Sequence, residues 1–317
     1  MIRRSRRSRF PEIALIAAAL IIAALGRPRD ARAQACCAGG TVVTPARLAL
    51  HEDWALGLQM RARSNPGSYG ADGRYQTSGG AEQVFEQDLA ASARITERAQ
   101  AGVMIPMFQT HRNLSGLDDW GSGIGDLSLT ARYDFLLPAE SLYWPGFGVL
   151  LSSTLPTGTP PDKATHRLAA DATGEGTYDL TLGVNIDKSF EHVYVAVSGW
   201  ATHRFARTVS LLPGAPSISE SFALRWTVMA VASYVFDNES ALGLQVSTMN
   251  EGIATINGAS EPGTSLRSST VGLAGVMPVR DNWRIQGSLF SDVMMTSFGR
   301  NEPAGYGFTA AIVRVWL

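Results

Sequence analysis

From about residue 50 to residue 317, polar and apolar positions alternate in runs of roughly ten residues, the length of a membrane-crossing strand. Gly125–Leu136 shows the pattern most plainly: Asp126, Ser128, Thr130, Arg132 and Asp134 fall on one face, and Leu127, Leu129, Ala131, Tyr133 and Phe135 on the other. Strand side chains point to opposite faces with a period of two, so the segment has one wet and one apolar face. In a soluble sandwich such apolar faces meet in a core. In an outer-membrane barrel they meet lipid, and the polar faces line a lumen.

The pattern predicts strands near 49–62, 83–96, 99–110, 122–137, 145–157, 176–189, 192–204, 219–236, 240–250, 266–278, 282–297 and 305–317. Connections at Pro138–Ser141, Phe190–Glu191, Asp237–Glu239 and Arg280–Asp281 are short. Those at 63–82, 111–121, 158–175, 205–218, 251–265 and 298–304 are long and rich in Gly, Pro, Ser and Asp. Short periplasmic turns alternating with long external loops are the arrangement of bacterial barrels. The expected fold is therefore all-β: a transmembrane antiparallel up-and-down barrel of about twelve strands, with both termini on the periplasmic side. A soluble periplasmic sandwich is the alternative; Greek-key spacing would suit it better than strict short–long alternation.

The amino terminus points to export. Arg3, Arg4, Arg6, Arg7 and Arg9 precede the apolar stretch Ile13–Leu25, whose 13 residues fall short of the roughly 20 a transmembrane helix needs. Residues 1–35 read as a signal peptide, cleaved after Ala33 or Ala35, with 36–48 a short periplasmic tail and 49–317 the barrel. The whole chain carries 27 basic and 28 acidic residues; removing 1–35, with eight Arg and two acids, leaves 19 and 26, a net charge of −7. That balance gives no electrostatic case for nucleic acid. The partners expected are outer-membrane lipid and lipopolysaccharide, the assembly machinery that inserts the barrel, and an unspecified small solute.

Charges follow the same alternation. Tyr178, Leu180, Leu182, Val184 and Ile186 oppose Asp179, Thr181, Asn185 and Asp187; Phe222, Leu224, Trp226, Val228 and Ala230 oppose Arg225 and Thr227. A charge facing lipid at the midplane costs roughly 2–4 kcal/mol, so charges belong inside. The expected lumen residues are Arg61, Glu86, Asp88, Arg94, Asp126, Arg132, Asp134, Asp179, Arg225, Arg284, Asp292 and Arg314. Trp54, Tyr143, Trp144, Tyr234, Phe236, Trp283 and Trp316 lie near strand ends on the turn side and form a candidate aromatic girdle. In the last strand Ala311, Val313, Val315 and Leu317 form the apolar face, with Arg314 opposite; such strands are read by the barrel assembly machinery.

The segment Gly123–Phe135, beginning Gly-Ile-Gly-Asp, and Leu151-Ser-Ser-Thr-Leu-Pro-Thr-Gly158 resemble two strands of a broad bacterial family of outer-membrane barrel transporters. Many of its members are labelled meta-pathway phenol-degradation proteins. The resemblance implies a channel or carrier for small, aromatic or apolar molecules, and no catalytic residues.

Other chemistry is sparse. Gly121-Ser-Gly-Ile-Gly-Asp126 lacks the last glycine of a nucleotide loop and opens a strand rather than a helix. His51, His111, His166, His192 and His203 show no metal-ligand spacing. Asp162, Asp171 and Glu175 share one loop without the order of an oxygen-ligand site. Cys36 and Cys37 invite lipidation of a terminus created before Cys36, a thiolate pair for a soft cation, or no role beyond a tail. No metal or cofactor is expected. The leading function is a channel or carrier for passive movement of small molecules. A structural or adhesive barrel is the first alternative. A membrane-embedded lipid hydrolase is the second; it would need a serine within reach of His111 or His203 at the outer rim.

Overall fold

The computed structural model describes residues 47–49, 51–114, 116–138, 140–210, 217–280 and 282–317. The proposed signal peptide, most of the tail, and Cys36 and Cys37 lie outside the described residues.

Among the described residues seventeen strands follow in order: β1 Trp54–Tyr69, β2 Tyr75–Thr96, β3 Ala99–Leu114, β4 Leu117–Ile124, β5 Leu127–Leu136, β6 Gly146–Leu155, β7 Asp179–Phe190, β8 Val193–Arg204, β9 Arg207–Val209, β10 Ile218–Ser221, β11 Arg225–Val235, β12 Ala241–Glu251, β13 Thr255–Ile256, β14 Ala259–Ser260, β15 Leu266–Arg280, β16 Trp283–Asp292 and β17 Pro303–Trp316. β4 and β5 are one barrel strand broken at Gly125–Asp126, both pairing β3. Each remaining long strand pairs antiparallel with its neighbours, and β17 pairs β1 to close the ring at twelve. Closure pairs each strand of the ring on both sides, as a strand-built membrane protein requires, and leaves an open edge only above it, where β4 pairs β3 alone. The short strands β9, β10, β13 and β14 form a separate four-stranded sheet from the loops 205–218 and 251–265.

The faces sort as the alternation demands. Leu56, Leu58 and Met60 of β1, Leu180, Leu182, Val184 and Ile186 of β7, and Leu242, Leu244 and Val246 of β12 are exposed on the outer wall, whereas Asp187, Ser198, Gln245 and Ser288 are buried within. A buried polar interior beneath an exposed apolar wall inverts a soluble protein and matches a lipid solvent. Leu244→Arg is expected to lower unfolding stability in vesicles by about 2–4 kcal/mol. Thr227→Arg, on the lumen face, should shift the urea midpoint far less.

Three sequence expectations are corrected. The stretches 63–82 and 111–121 are not irregular loops: β1 and β2 run outward to the turn at 70–74, and β3 and β4 outward to Leu114 and from Leu117, as hairpins standing above the membrane. Residues 219–221 belong to β10 of the outer sheet, so barrel strand β11 starts only at Arg225. Phe222 therefore leaves the lipid face; its ring lies 4.2 Å beneath the Arg204 guanidinium.

Candidate functional site

Inward residues lie in rows set by the pairing register. One row runs Thr130, Ser152, Thr181, Thr202 across β5, β6, β7 and β8, with the Thr181 and Thr202 hydroxyls 2.8 Å apart. On the opposite wall Gln286, Ala311, Gln59 and Asp88 share a row across β16, β17, β1 and β2. Between these walls lies a cavity of about 330 Å³, also lined by Met104, Leu150 and Trp200. Gly183 makes room for the indole: a Cβ there would stand 2.4 Å from Cδ1 of Trp200. Hydroxyls and apolar side chains thus share one chamber.

A second cavity, of about 530 Å³, is lined by Arg63, Glu82, Phe108, Arg112, Glu175, Met229, Phe290 and Asp292. The two chambers meet at Arg61 and Glu86, which line both and form an ion pair of 2.7 Å. The loop between β6 and β7 folds onto the inner face of β3 and β4 and narrows the outer mouth. Arg112 donates to the Leu168 and Ala169 carbonyls, and Asp126 accepts from the Gly158 and Glu175 amides at 2.9 and 2.8 Å. Ala170 of this loop is fully buried, and its backbone passes so close to Gly121 that a Cβ there would clash at 2.2 Å. Asp171 holds the loop's bend by accepting from the Thr165 and His166 amides and the Thr165 hydroxyl; these bonds lower its pKa to about 2 against the opposing effect of burial.

At the periplasmic end the lumen is closed by the chain itself. Arg47 enters between the walls and pairs with Asp187 at 2.8 Å and Asp134 at 3.2 Å. The Leu48 amide donates to Gln100 Oε1 at 3.1 Å, and its side chain joins Ala55, Val313 and Val315 in a buried cluster. Glu52 accepts from Arg284 at 2.8 Å and from the Ala49 amide, while Arg94 donates to the Glu52 and Ala49 carbonyls. Residues 47–49 and 51–53 therefore form the floor, and what the sequence presents as a tail and the start of a first strand lies inside the lumen.

The twelve predicted lumen residues divide accordingly. Arg61, Glu86 and Asp88 line the inner chamber and Asp292 the outer one. Arg94, Arg132, Asp134 and Arg284 hold the floor segment, Arg132 by bonding Asp134 at 2.8 Å. Asp179 and Arg225 join a cluster around Arg204 and Glu251, and Asp126 anchors the loop. Arg314 is corrected: it faces outward, its guanidinium 5.5 Å from the ring of Trp283 and 4.9 Å from that of Trp316. The cause is the floor segment, because Leu48 draws Val313 and Val315 inward and so sets the phase of β17. Of the proposed girdle, Trp54, Tyr143, Trp144, Tyr234, Phe236 and Trp283 are exposed near the periplasmic ends of their strands, and Trp316 lies beside Trp54 in register.

Sequence reading missed the hydroxyl row, Trp200, Met104 and the outer-chamber rings Phe108 and Phe290. None of these carries a charge to mark it, although the phase of β8, with Ser198 and Thr202 inside, places Trp200 in the lumen. His111 bonds Asp118 at 2.6 Å and stacks on Trp120, and His203 packs edge-on to Phe205. Among the described residues neither histidine hydrogen-bonds a serine. Asp162, Asp171 and Glu175 go their separate ways: Asp162 lies 3.7 Å from Arg207, Asp171 holds its own bend, and Glu175 pairs with Arg204 and Arg225.

Glu302, just before β17 on the outer side, titrates near neutrality. Burial pushes its carboxyl up to about 7, opposed by Arg225 and Arg63 and reinforced by Glu175 and Glu251. The folded protein then holds a proton that the unfolded chain releases above about pH 4.5, the reference value for a free glutamate. Stability should therefore fall as pH rises from near 4.5 to near 7 and level off above. Glu302→Gln should flatten this part of the melting-temperature profile.

A closed antiparallel ring of twelve strands with an apolar exterior and a polar, chambered interior is an outer-membrane β-barrel. Among solved structures it is similar to an outer membrane channel from Pseudomonas putida F1, with a TM-score of 0.70 at 18% identity over 84% of this chain and 97% of that one. The translocator domain of the autotransporter NalP from Neisseria meningitidis follows at a TM-score of 0.48 and 11% identity, over 84% of this chain and 88% of that one. No protein-family model matches the chain, and no curated protein does.

Proposed function

We propose that this barrel is a passive outer-membrane carrier for small molecules with an apolar or aromatic part, passing them through the two chambers rather than through an open aqueous pore. The observation that carries the reading is the inner chamber, where Trp200, Met104 and Leu150 share one cavity with a row of hydroxyls. A purely ionic pore has no use for such walls, whereas a ligand site combines apolar lining with a few placed polar groups. The floor segment argues the same way, since it closes the lumen to free diffusion of hydrated solutes. The resemblance to the phenol-degradation transporters and the channel from P. putida agree with this reading.

The test is uptake by proteoliposomes of 4-nitrophenyl glucoside, an aromatic solute that lipid excludes. Saturable uptake that falls when Trp200 is replaced by alanine supports the carrier. Uptake no faster than in protein-free vesicles would leave a structural barrel.

A further inference from the structure

Within the inner chamber we propose a binding site for a monocationic amine with an aromatic or apolar body, with Asp88 as its counter-ion. The inference rests on the carrier reading and names its substrate class.

Asp88 is 2% exposed. Its Oδ2 accepts from Gln59 Nε2 at 2.9 Å, and its Oδ1 is buried without a hydrogen-bond partner. The other charged residues lining the chamber are Arg61 and Glu86, and these are bonded to each other at 2.7 Å. The three groups leave the chamber with a net charge of −1. A buried carboxylate oxygen with no donor is costly, and the cost is recovered when a cationic N–H group arrives.

The rest of the wall selects what carries that cation. Trp200 offers an aromatic face to an ammonium group or a second ring. Across from Asp88 the Thr181–Thr202 hydroxyl pair presents oxygens to the remaining N–H groups, and Met104 and Leu150 cover an apolar body. Ala311 and Gln59 share a row with Asp88 on that wall. A hard inorganic cation is a poor match, because calcium takes six to eight oxygens and the chamber has one unsatisfied carboxylate oxygen among apolar side chains. A volume of about 330 Å³ lies at the lower end of small-molecule pockets, enough for a single small amine.

The test is calorimetric binding to the full barrel in detergent, with 2-phenylethylamine and 2-phenylethanol as probes of the same shape. The amine should bind at least tenfold more tightly than the alcohol. Asp88→Asn, which keeps the shape and removes the charge, should weaken the amine tenfold or more and leave the alcohol unchanged. Trp200→Leu, which leaves the carboxylate in place, should weaken both probes several-fold. Equal binding of amine and alcohol by the native barrel would overturn the proposal, as would unchanged amine binding by Asp88→Asn of native heat-shifted gel mobility. Should Asp88→Asn fail to fold, the probe comparison and Trp200→Leu still decide. Binding is read without transport, so loss of glucoside uptake with amine preference intact would remove the carrier and keep the site.

Discussion

Replacing Arg47 with alanine is expected to raise single-channel conductance in planar bilayers several-fold. Arg47 ties the floor segment to one side of the barrel wall, through Asp134 on β5 and Asp187 on β7, the two strands that flank β6, at positions where all three side chains are at least nine-tenths buried. Removing one member of a buried ion pair costs about 3–5 kcal/mol, because the partner charge stays behind. Here the loss is smaller, since Asp134 keeps Arg132 and Asp187 keeps Tyr194 and Asn185. The wall therefore survives while the segment loses its charged anchor, and the equilibrium moves toward an open floor rather than an unfolded barrel. Glu52→Gln, which weakens the bond to Arg284, should act in the same direction but less, since Arg94 still holds the segment through backbone carbonyls. Unchanged conductance with both substitutions together would mean that the wall side chains alone set the constriction.

The same segment explains where the sequence could be read and where it could not. Alternation is legible wherever one strand face meets lipid and the other meets water, and for that reason β5, β7 and β16 sort as their sequences predict. It fails above the membrane, where both faces are wet: Gln76, Thr77 and Ser78 of β2 carry no apolar partner face, so a strand there reads as a loop. In β17 it fails for the opposite reason. Both faces are apolar at the periplasmic end, Ile312 toward lipid and Val313 and Val315 toward Leu48, so alternation alone puts Arg314 on the wrong side. An interfacial arginine resting on two tryptophans escapes the midplane penalty that the assignment assumed. The hydroxyl row needed the register of four strands at once, and no single segment displays it. Asp88 was legible as an inward charge, but its unsatisfied oxygen is a property of the folded chamber.

The cluster at the outer end of the lumen should respond to substitution in two separable ways. Glu251 is bonded to Arg204 at 3.1 Å and to Arg225 at 2.6 Å, and its side chain is 4% exposed. Glu251→Ala leaves two arginines short of a partner, for which breaking a buried pair sets an upper figure of about 3–5 kcal/mol. The realised loss should be lower, because Glu175 also pairs with both arginines. Glu251→Gln removes the same charge but can still accept a hydrogen bond from one arginine, so it should cost clearly less in melting temperature. Both substitutions make the lumen one charge more positive, and in the Arg47→Ala background, where the floor is open to ions, both should move the reversal potential in a salt gradient toward anions by a similar amount. Stability thus follows the hydrogen bonds to Glu251, whereas ion preference follows its charge. A selectivity shift seen with alanine and absent with glutamine would mean that local collapse, and not the field of the arginines, governs which ions pass.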